Sequence, residues 1–242
     1  MKEQLEALLS ALRPVKTKYD LIRIGGDNDG GYLLPDDLSG VSKCFSPGVD
    51  VTAKFEIDLC KRGIGSHLAD ASVDGAPAGF TPLSFTKKYL DGINTDDYMT
   101  LEFWVRNKAG GLGDLILQMD IEGGEYITLL ATPIDILRRF RIMAIEIHDA
   151  QYWFNNPIAW GMTQTFFTKL LQDFHVVHNH PNNNCPFIEV DDLLIPTVFE
   201  LTLLRKDRAA PEGFCDTFPH PLDQPNVLDK PDRPLPPSMY GE

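Results

Sequence analysis

Short apolar runs that end in ionisable residues limit the fold of this chain more than any other feature. Residues 115–121 read Leu-Ile-Leu-Gln-Met-Asp-Ile, and 141–147 read Arg-Ile-Met-Ala-Ile-Glu-Ile. Strands covered on both faces have this character, because each side meets packed protein rather than water. Comparable runs at 43–46, 65–69, 174–178 and 199–204 complete six predicted strands. Helical segments fall between them: 51–62 carries Phe55, Ile57 and Leu59 among charges, 125–130 opens a second helix and 163–173 a third. Such alternation predicts an α/β fold, a doubly wound parallel sheet with helices on both faces.

The ends of the chain read differently. Leu5, Leu8, Leu9 and Leu12 recur at helical spacing and predict an amphipathic N-terminal helix that Pro14 ends. Residues 23–34 hold four glycines and three Asp or Asn residues between apolar runs, the pattern of a hairpin turn whose tip is open to a ligand role. Beyond Arg205 prolines multiply and periodicity is lost, so 207–242 is expected as an extended tail, either wrapped on the surface or disordered. The predicted organisation is therefore an N-terminal helix and lead-in at 1–22, a single α/β domain at 23–206, and the tail.

With 22 basic and 35 acidic residues the net charge is −13. Nucleic acid needs a basic groove, and the nearest basic cluster is Arg138, Arg139 and Arg141, so neither nucleic acid nor an anionic membrane is an expected partner. Cys44, Cys60, Cys185 and Cys215 form no CxxC pair, which argues against a zinc knuckle or a redox motif. No stretch approaches the length of a membrane span, and the N-terminus lacks the apolar run of a signal peptide. A soluble protein of the reducing cytoplasm is expected.

In open α/β sheets ligands sit beyond the carboxyl ends of the strands, where strand order reverses. The first strand ends in Ser46-Pro47-Gly48-Val49-Asp50, where a glycine permits close backbone approach. The second ends at Asp70, 22 positions after Gly48, about where an acid grips ribose hydroxyls. No GxGxxG is present, so a phosphate-free adenosine ligand fits better than a dinucleotide. Asp120 interrupts an apolar strand, with Glu122 and Glu125 close behind; Glu125 is read as a cap of the following helix. The next strand ends in Glu146-Ile147-His148, which places Glu146 and His148 on one face. His148 is the candidate general base, oriented by Asp120 or Glu146; Asp120 is the alternative base. His180 with Asn182 and Asn183 is read as a loop that recognises substrate hydroxyls, and Glu122 joins that set. No metal site is expected. The metal-assisted alternative would use Asp120, Glu122, His148 or His180.

These stretches carry a family likeness. Gly25-Gly26 with Asp29-Gly30-Gly31-Tyr32, Cys44 to Asp50 with Phe55-Glu56, Met119 to Tyr126, Glu146 to His148, His180 with Asn182-Asn183 and Pro196 to Thr202 occur in one order over about residues 23–205. The sequence resembles FkbM-type methyltransferases, especially a subgroup like the methyltransferase-like proteins of animals. The Asp-Ile-Glu-Gly block is the most specific match, and Pro219 to Asp223 resembles the tails of some members. The resemblance implies a class I methyltransferase (Rossmann-like) fold that uses S-adenosyl-L-methionine to methylate a hydroxyl of a sugar or other small-molecule natural product. Carried over, Ser46, Gly48, Asp50, Gly30 and Gly31 would surround the cofactor and Asp70 would hold its ribose. Asp120 would lie where its methionine end meets the acceptor. Departures are the single Gly48 in the first motif and Ala69-Asp70-Ala71-Ser72 after the second strand, with Glu102 and Trp104 as candidates beside the adenine. A rival reading is a catalytically silent cofactor-binding or interaction protein on the same fold.

Overall fold

The computed structural model describes residues 2–49 and 51–240. Helix α1 (Lys2–Ala11) is followed by an antiparallel hairpin, β1 (Leu21–Ile24) and β2 (Tyr32–Pro35). Then come β3 (Val41–Pro47), α2 (Lys54–Lys61), β4 (Gly65–Ala69), β5 (Ser84–Thr86), β6 (Tyr89–Leu90), β7 (Tyr98–Met99) and α3 (Leu101–Lys108). The second half runs β8 (Asp114–Met119), α4 (Glu125–Ala131), α5 (Ile134–Leu137), β9 (Phe140–Ile147), α6 (Pro157–Asp173), β10 (Phe174–Pro181), β11 (Phe187–Val190), β12 (Leu193–Pro196) and β13 (Phe199–Arg205).

Seven strands form one sheet in the order β10-β13-β9-β8-β3-β4-β5. From β9 across to β5 every pairing is parallel, while β13 lies antiparallel between β9 and β10. The sheet is thus mixed, a correction to the all-parallel expectation. Its cause is the connection after β10: it holds the short β11–β12 hairpin instead of a crossover helix, so β13 returns beside β10.

Alternation along the strands sorts the core into two layers. Leu117, Met143 and Leu203 face α1, α3 and α6, where they join Leu9, Trp104 and Phe166. Ile116, Ile142 and Leu204 face the other way, onto Phe55 and Leu59 of α2 and onto Ile24 and Leu34 of the hairpin. The second face is therefore only partly helical: the β1–β2 hairpin covers the rest, tied by the Thr202 hydroxyl donating to the Leu33 carbonyl at 2.7 Å. Both core layers continue into the tail. Leu235 and Met239 join the helical layer and Ala209 the hairpin layer. No helix among the described residues is long and apolar enough to cross a membrane.

Candidate active site

Strand order reverses between β3 and β8, and a cavity of about 710 Å³ opens at the carboxyl ends of β3, β4 and β8. That is the size of a small-molecule site and the place where such folds bind ligands. Gly48, Asp70 and Asp120 line it, the hairpin tip closes one side with Asp29 and Gly30, and Tyr89 and Tyr98 stand on another. Its ionisable lining is mainly acidic: Asp29, Glu56, Asp70, Asp91, Asp120 and Glu122 face only Lys54 and Lys88.

Gly48 has φ +80°, and a Cβ there would lie 1.6 Å from the Asp120 carbonyl oxygen. The close approach that demands glycine is thus to the β8 backbone, which locks the β3 turn against Asp120. Asp70 accepts from the Ser72 N–H at 2.8 Å and the Ser72 hydroxyl at 2.7 Å, which fixes the carboxylate at the end of β4. Asp50, also expected beside the cofactor, falls outside the described residues.

Ser46 does not reach the cavity. Its hydroxyl is buried between Glu56 and Gln118. Burial raises the Glu56 carboxyl above its ordinary range. The Ser46 hydroxyl donates to Glu56, which partly offsets that rise, and its oxygen lies beside the Gln118 amide as well. Gly31 is likewise interior to the hairpin loop, where a Cβ would meet the Gly26 carbonyl oxygen at 2.5 Å. Neither adenine candidate lines the cavity: Trp104 is core, packed edge-on against Phe45, and Glu102 pairs with Arg106 on α3.

The ends of β8 and β9 bring Asp120, Glu146 and His148 together. His148 Nε2 lies 3.8 Å from Asp120 Oδ1, 3.6 Å from Glu146 Oε2 and 3.5 Å from Glu122 Oε2. Its Nδ1 meets Glu125 Oε1 at 3.2 Å, and the same oxygen accepts from the Ile121 N–H at 3.0 Å. Glu125 thus ties down the start of its helix and also orients the imidazole, the part the sequence reading gave to Asp120 or Glu146. The Tyr126 hydroxyl donates to the His148 carbonyl at 2.8 Å and accepts from the Trp153 indole at 2.8 Å, so the strand end is fixed from behind.

Electrostatics divide the roles within this cluster. Burial disfavours charge on His148, but the Glu125 hydrogen bond and the surrounding carboxylates outweigh it and hold the imidazole at about 9. Burial lifts Asp120 to about 7 against the pull of His148, with Glu122 adding to the rise. Burial and the neighbouring Asp120 push Glu146 well above the carboxylate range. The surrounding carboxylates thus favour the charged form of the His148 imidazole. Of the three, Asp120 alone lines the cavity.

The other substrate candidates separate. Asn182 joins the cluster, donating to Glu146 Oε1 at 2.8 Å, and Glu122 is exposed at its rim. His180 and Asn183 turn to the tail instead. His180 Nε2 pairs with Asp232 at 2.9 Å, and the Asn183 amide donates to the carbonyls of Val227 and Lys230 at 2.9 and 3.1 Å. Both are buried and turned to the tail, away from the cavity lining.

No known protein family profile matches the chain. A segment of 82 residues, 34% of the chain, is 32% identical to Aminopeptidase G of Lactobacillus delbrueckii subsp. lactis. The match spans 18% of the length of that protein.

Proposed function

We propose that the chain is an S-adenosyl-L-methionine-dependent methyltransferase acting on a hydroxyl of a small-molecule acceptor. One observation carries the reading: the cavity at the strand-order reversal is bounded by the Gly48 turn and, 22 positions later, by the fixed carboxylate of Asp70. An acid so placed accepts from the hydroxyls of a ribose. The acidic lining favours a sulfonium cation over a phosphate-bearing cofactor. The reversed β13 beside a parallel half supports the class I methyltransferase fold that the sequence resemblance implies.

In methyl transfer the S–CH3 bond breaks as the O–CH3 bond forms, the sulfonium becomes a neutral thioether, and the hydroxyl proton leaves. Orientation supplies much of the rate, and the proton needs an acceptor in the cavity. Asp120 is that acceptor, because, of Asp120, Glu146 and His148, it is the one that lines the ligand space. His148, cationic and anchored by Glu125, stabilises the Asp120 carboxylate from behind. Glu122, exposed beside them, is available to a substrate hydroxyl.

Calorimetric titration with S-adenosylhomocysteine tests the reading. Binding in the micromolar range is expected, weakened at least about tenfold by Asp70→Ala, since losing a hydrogen bond to a charged group costs about 1.5–3 kcal/mol. Binding that Asp70→Ala leaves intact would remove the ribose assignment. No binding to the unaltered chain would overturn the methyltransferase reading.

A further inference from the structure

The cluster behind the cavity holds its three central atoms apart in an unusual way. Asp120, Glu146 and His148 each offer one ligand atom, and the three atoms lie within 4.8 Å of one another. Yet neither Asp120 Oδ1 nor Glu146 Oε2 is at hydrogen-bond distance from His148 Nε2, at 3.8 and 3.6 Å. Asp120 Oδ1 is buried without a hydrogen-bond partner among the described residues. The Glu146 side chain is 6% exposed; its Oε1 is taken by Asn182 and its Oε2 is aimed at the imidazole from outside hydrogen-bond range. Two buried carboxylate oxygens directed at one point need positive charge or a shared proton beside them; the imidazole supplies charge from 3.8 and 3.6 Å, and an ion among the three atoms would supply it at bonding distance.

We propose that Asp120, Glu146 and His148 are the protein ligands of a divalent cation of the Mn²⁺ type. An ion with bonds of about 2.1 Å holds neighbouring ligand atoms about 3.0–3.4 Å apart, so sub-ångström adjustments bring these three atoms to it. The donor set selects the ion: two carboxylates and one imidazole, with no thiolate, suit an oxygen-preferring metal that accepts one nitrogen. The far side of the imidazole is already arranged for the task. With Nδ1 held by the fully buried Glu125, Nε2 is the ring nitrogen turned into the cluster, and an ion bound there would displace its proton, leaving the outer-shell arrangement typical of metal-bound histidine.

Three protein ligands leave coordination positions open, and Asp120 connects the site to the cavity. Those positions suit two adjacent oxygens, as on a vicinal diol; this role, unlike the binding of the ion, rests on the methyltransferase reading. The Asp120 oxygen turned to the ion is its buried Oδ1, while the side chain as a whole keeps 26% exposure, so its remaining oxygen still serves the acceptor proton.

The test is electron paramagnetic resonance of Mn²⁺ titrated into the full chain with no cofactor present. One equivalent should leave the free-ion signal, and a pulsed spectrum should show coupling to one imidazole nitrogen. Glu146→Gln and His148→Gln should each weaken uptake at least about tenfold, while Glu212→Gln, an exposed acid in the tail, should not change it. Melting curves recorded alongside identify a variant that has unfolded, and the nitrogen coupling of the unaltered chain decides the case without any variant. Absence of stoichiometric uptake, absence of nitrogen coupling, or uptake unchanged in both folded variants would overturn the proposal. Because no cofactor is added, failure here leaves the S-adenosylhomocysteine titration standing, and the reverse also holds.

Discussion

At the scale of single residues, Gly48 shows how a position expected to serve a ligand serves the protein first. Its left-handed backbone and the mere 1.6 Å that would separate a Cβ from the Asp120 carbonyl oxygen leave no room for any side chain. Gly48→Ala must either unlock the β3 turn or push the end of β8 aside, and both movements disturb Asp120. A loss of about 2–4 kcal/mol is expected, the range for overpacking combined with backbone strain. For a chain of this size that lowers the melting temperature by about 5–15 °C, measurable by calorimetry; a change under about 2 °C would mean that the turn yields freely. The neighbouring residues Glu122 (φ 55°) and Asp149 (φ 60°) also adopt left-handed backbone, at the ends of β8 and β9. Non-glycine residues held this way cost about 1–3 kcal/mol each and gather where function fixes the backbone. None of this could be read from residue types alone. Asp120, Glu146 and His148 were legible because carboxylates and imidazoles are conspicuous in apolar strands. Glu125 was visible only as a helix cap, because a contact 23 positions away leaves no local trace.

At the scale of elements, the long strands were the most legible. The run at 65–69 coincides with β4, and those at 141–147 and 199–204 fall one residue short of β9 and β13. Continuous apolar character survives translation into sequence because burial on both faces demands it at every position. β5, β6 and β7, of three, two and two residues, have no room for a period, and they form the wall that brings Tyr89 and Tyr98 to the cavity. The direction of β13 was hidden too, since strand sequence carries no sign of whether its neighbour runs parallel. The Asn-rich loop after β10 was read as a substrate loop on its polarity, yet Asn183 spends both ends of its amide on the tail: it donates to Val227 and Lys230 and accepts from the Val227 N–H at 2.9 Å. Asn183→Ala removes all of these at a buried position and strands several backbone groups. Limited proteolysis should then cut within 222–233 at least about tenfold faster than in the unaltered chain, since local opening governs cleavage and about 1.4 kcal/mol gives a factor of ten. Equal cleavage rates would show that the tail is held without this loop.

At the scale of the whole molecule, the tail closes the domain. Arg208 pairs with Asp37 through two hydrogen bonds of 2.7 and 3.0 Å, Asp223 accepts from His178 at 2.8 Å, and Asp232 pairs with His180 at 2.9 Å. Along the sheet, His180, Glu200 and Glu146 are successive cross-strand partners on β10, β13 and β9, so the tail connects to the cluster at the ends of β8 and β9 through one row of polar side chains. The groups facing His180 are Asp232, Glu200 and Asp223. Burial opposes charge on this imidazole, but these carboxylates outweigh it and raise its pKa from 6.5 to about 10. Below about pH 6.5 the folded and unfolded chains both hold the proton, and the clamp contributes in full. As pH rises the unfolded chain releases the proton first, so stability falls continuously and this contribution is gone once the folded pKa is passed. Other groups titrate over the same span, so the informative quantity is the difference in melting temperature between the unaltered chain and His180→Gln. That difference should be largest near pH 6 and shrink by at least about 5 °C by pH 10, since about 1 kcal/mol is worth 2–4 °C at this size. A difference that stays constant with pH would mean that His180 holds the tail as a neutral hydrogen-bonding group, and that the tail is fastened chiefly by Arg208 and the Asn183 loop.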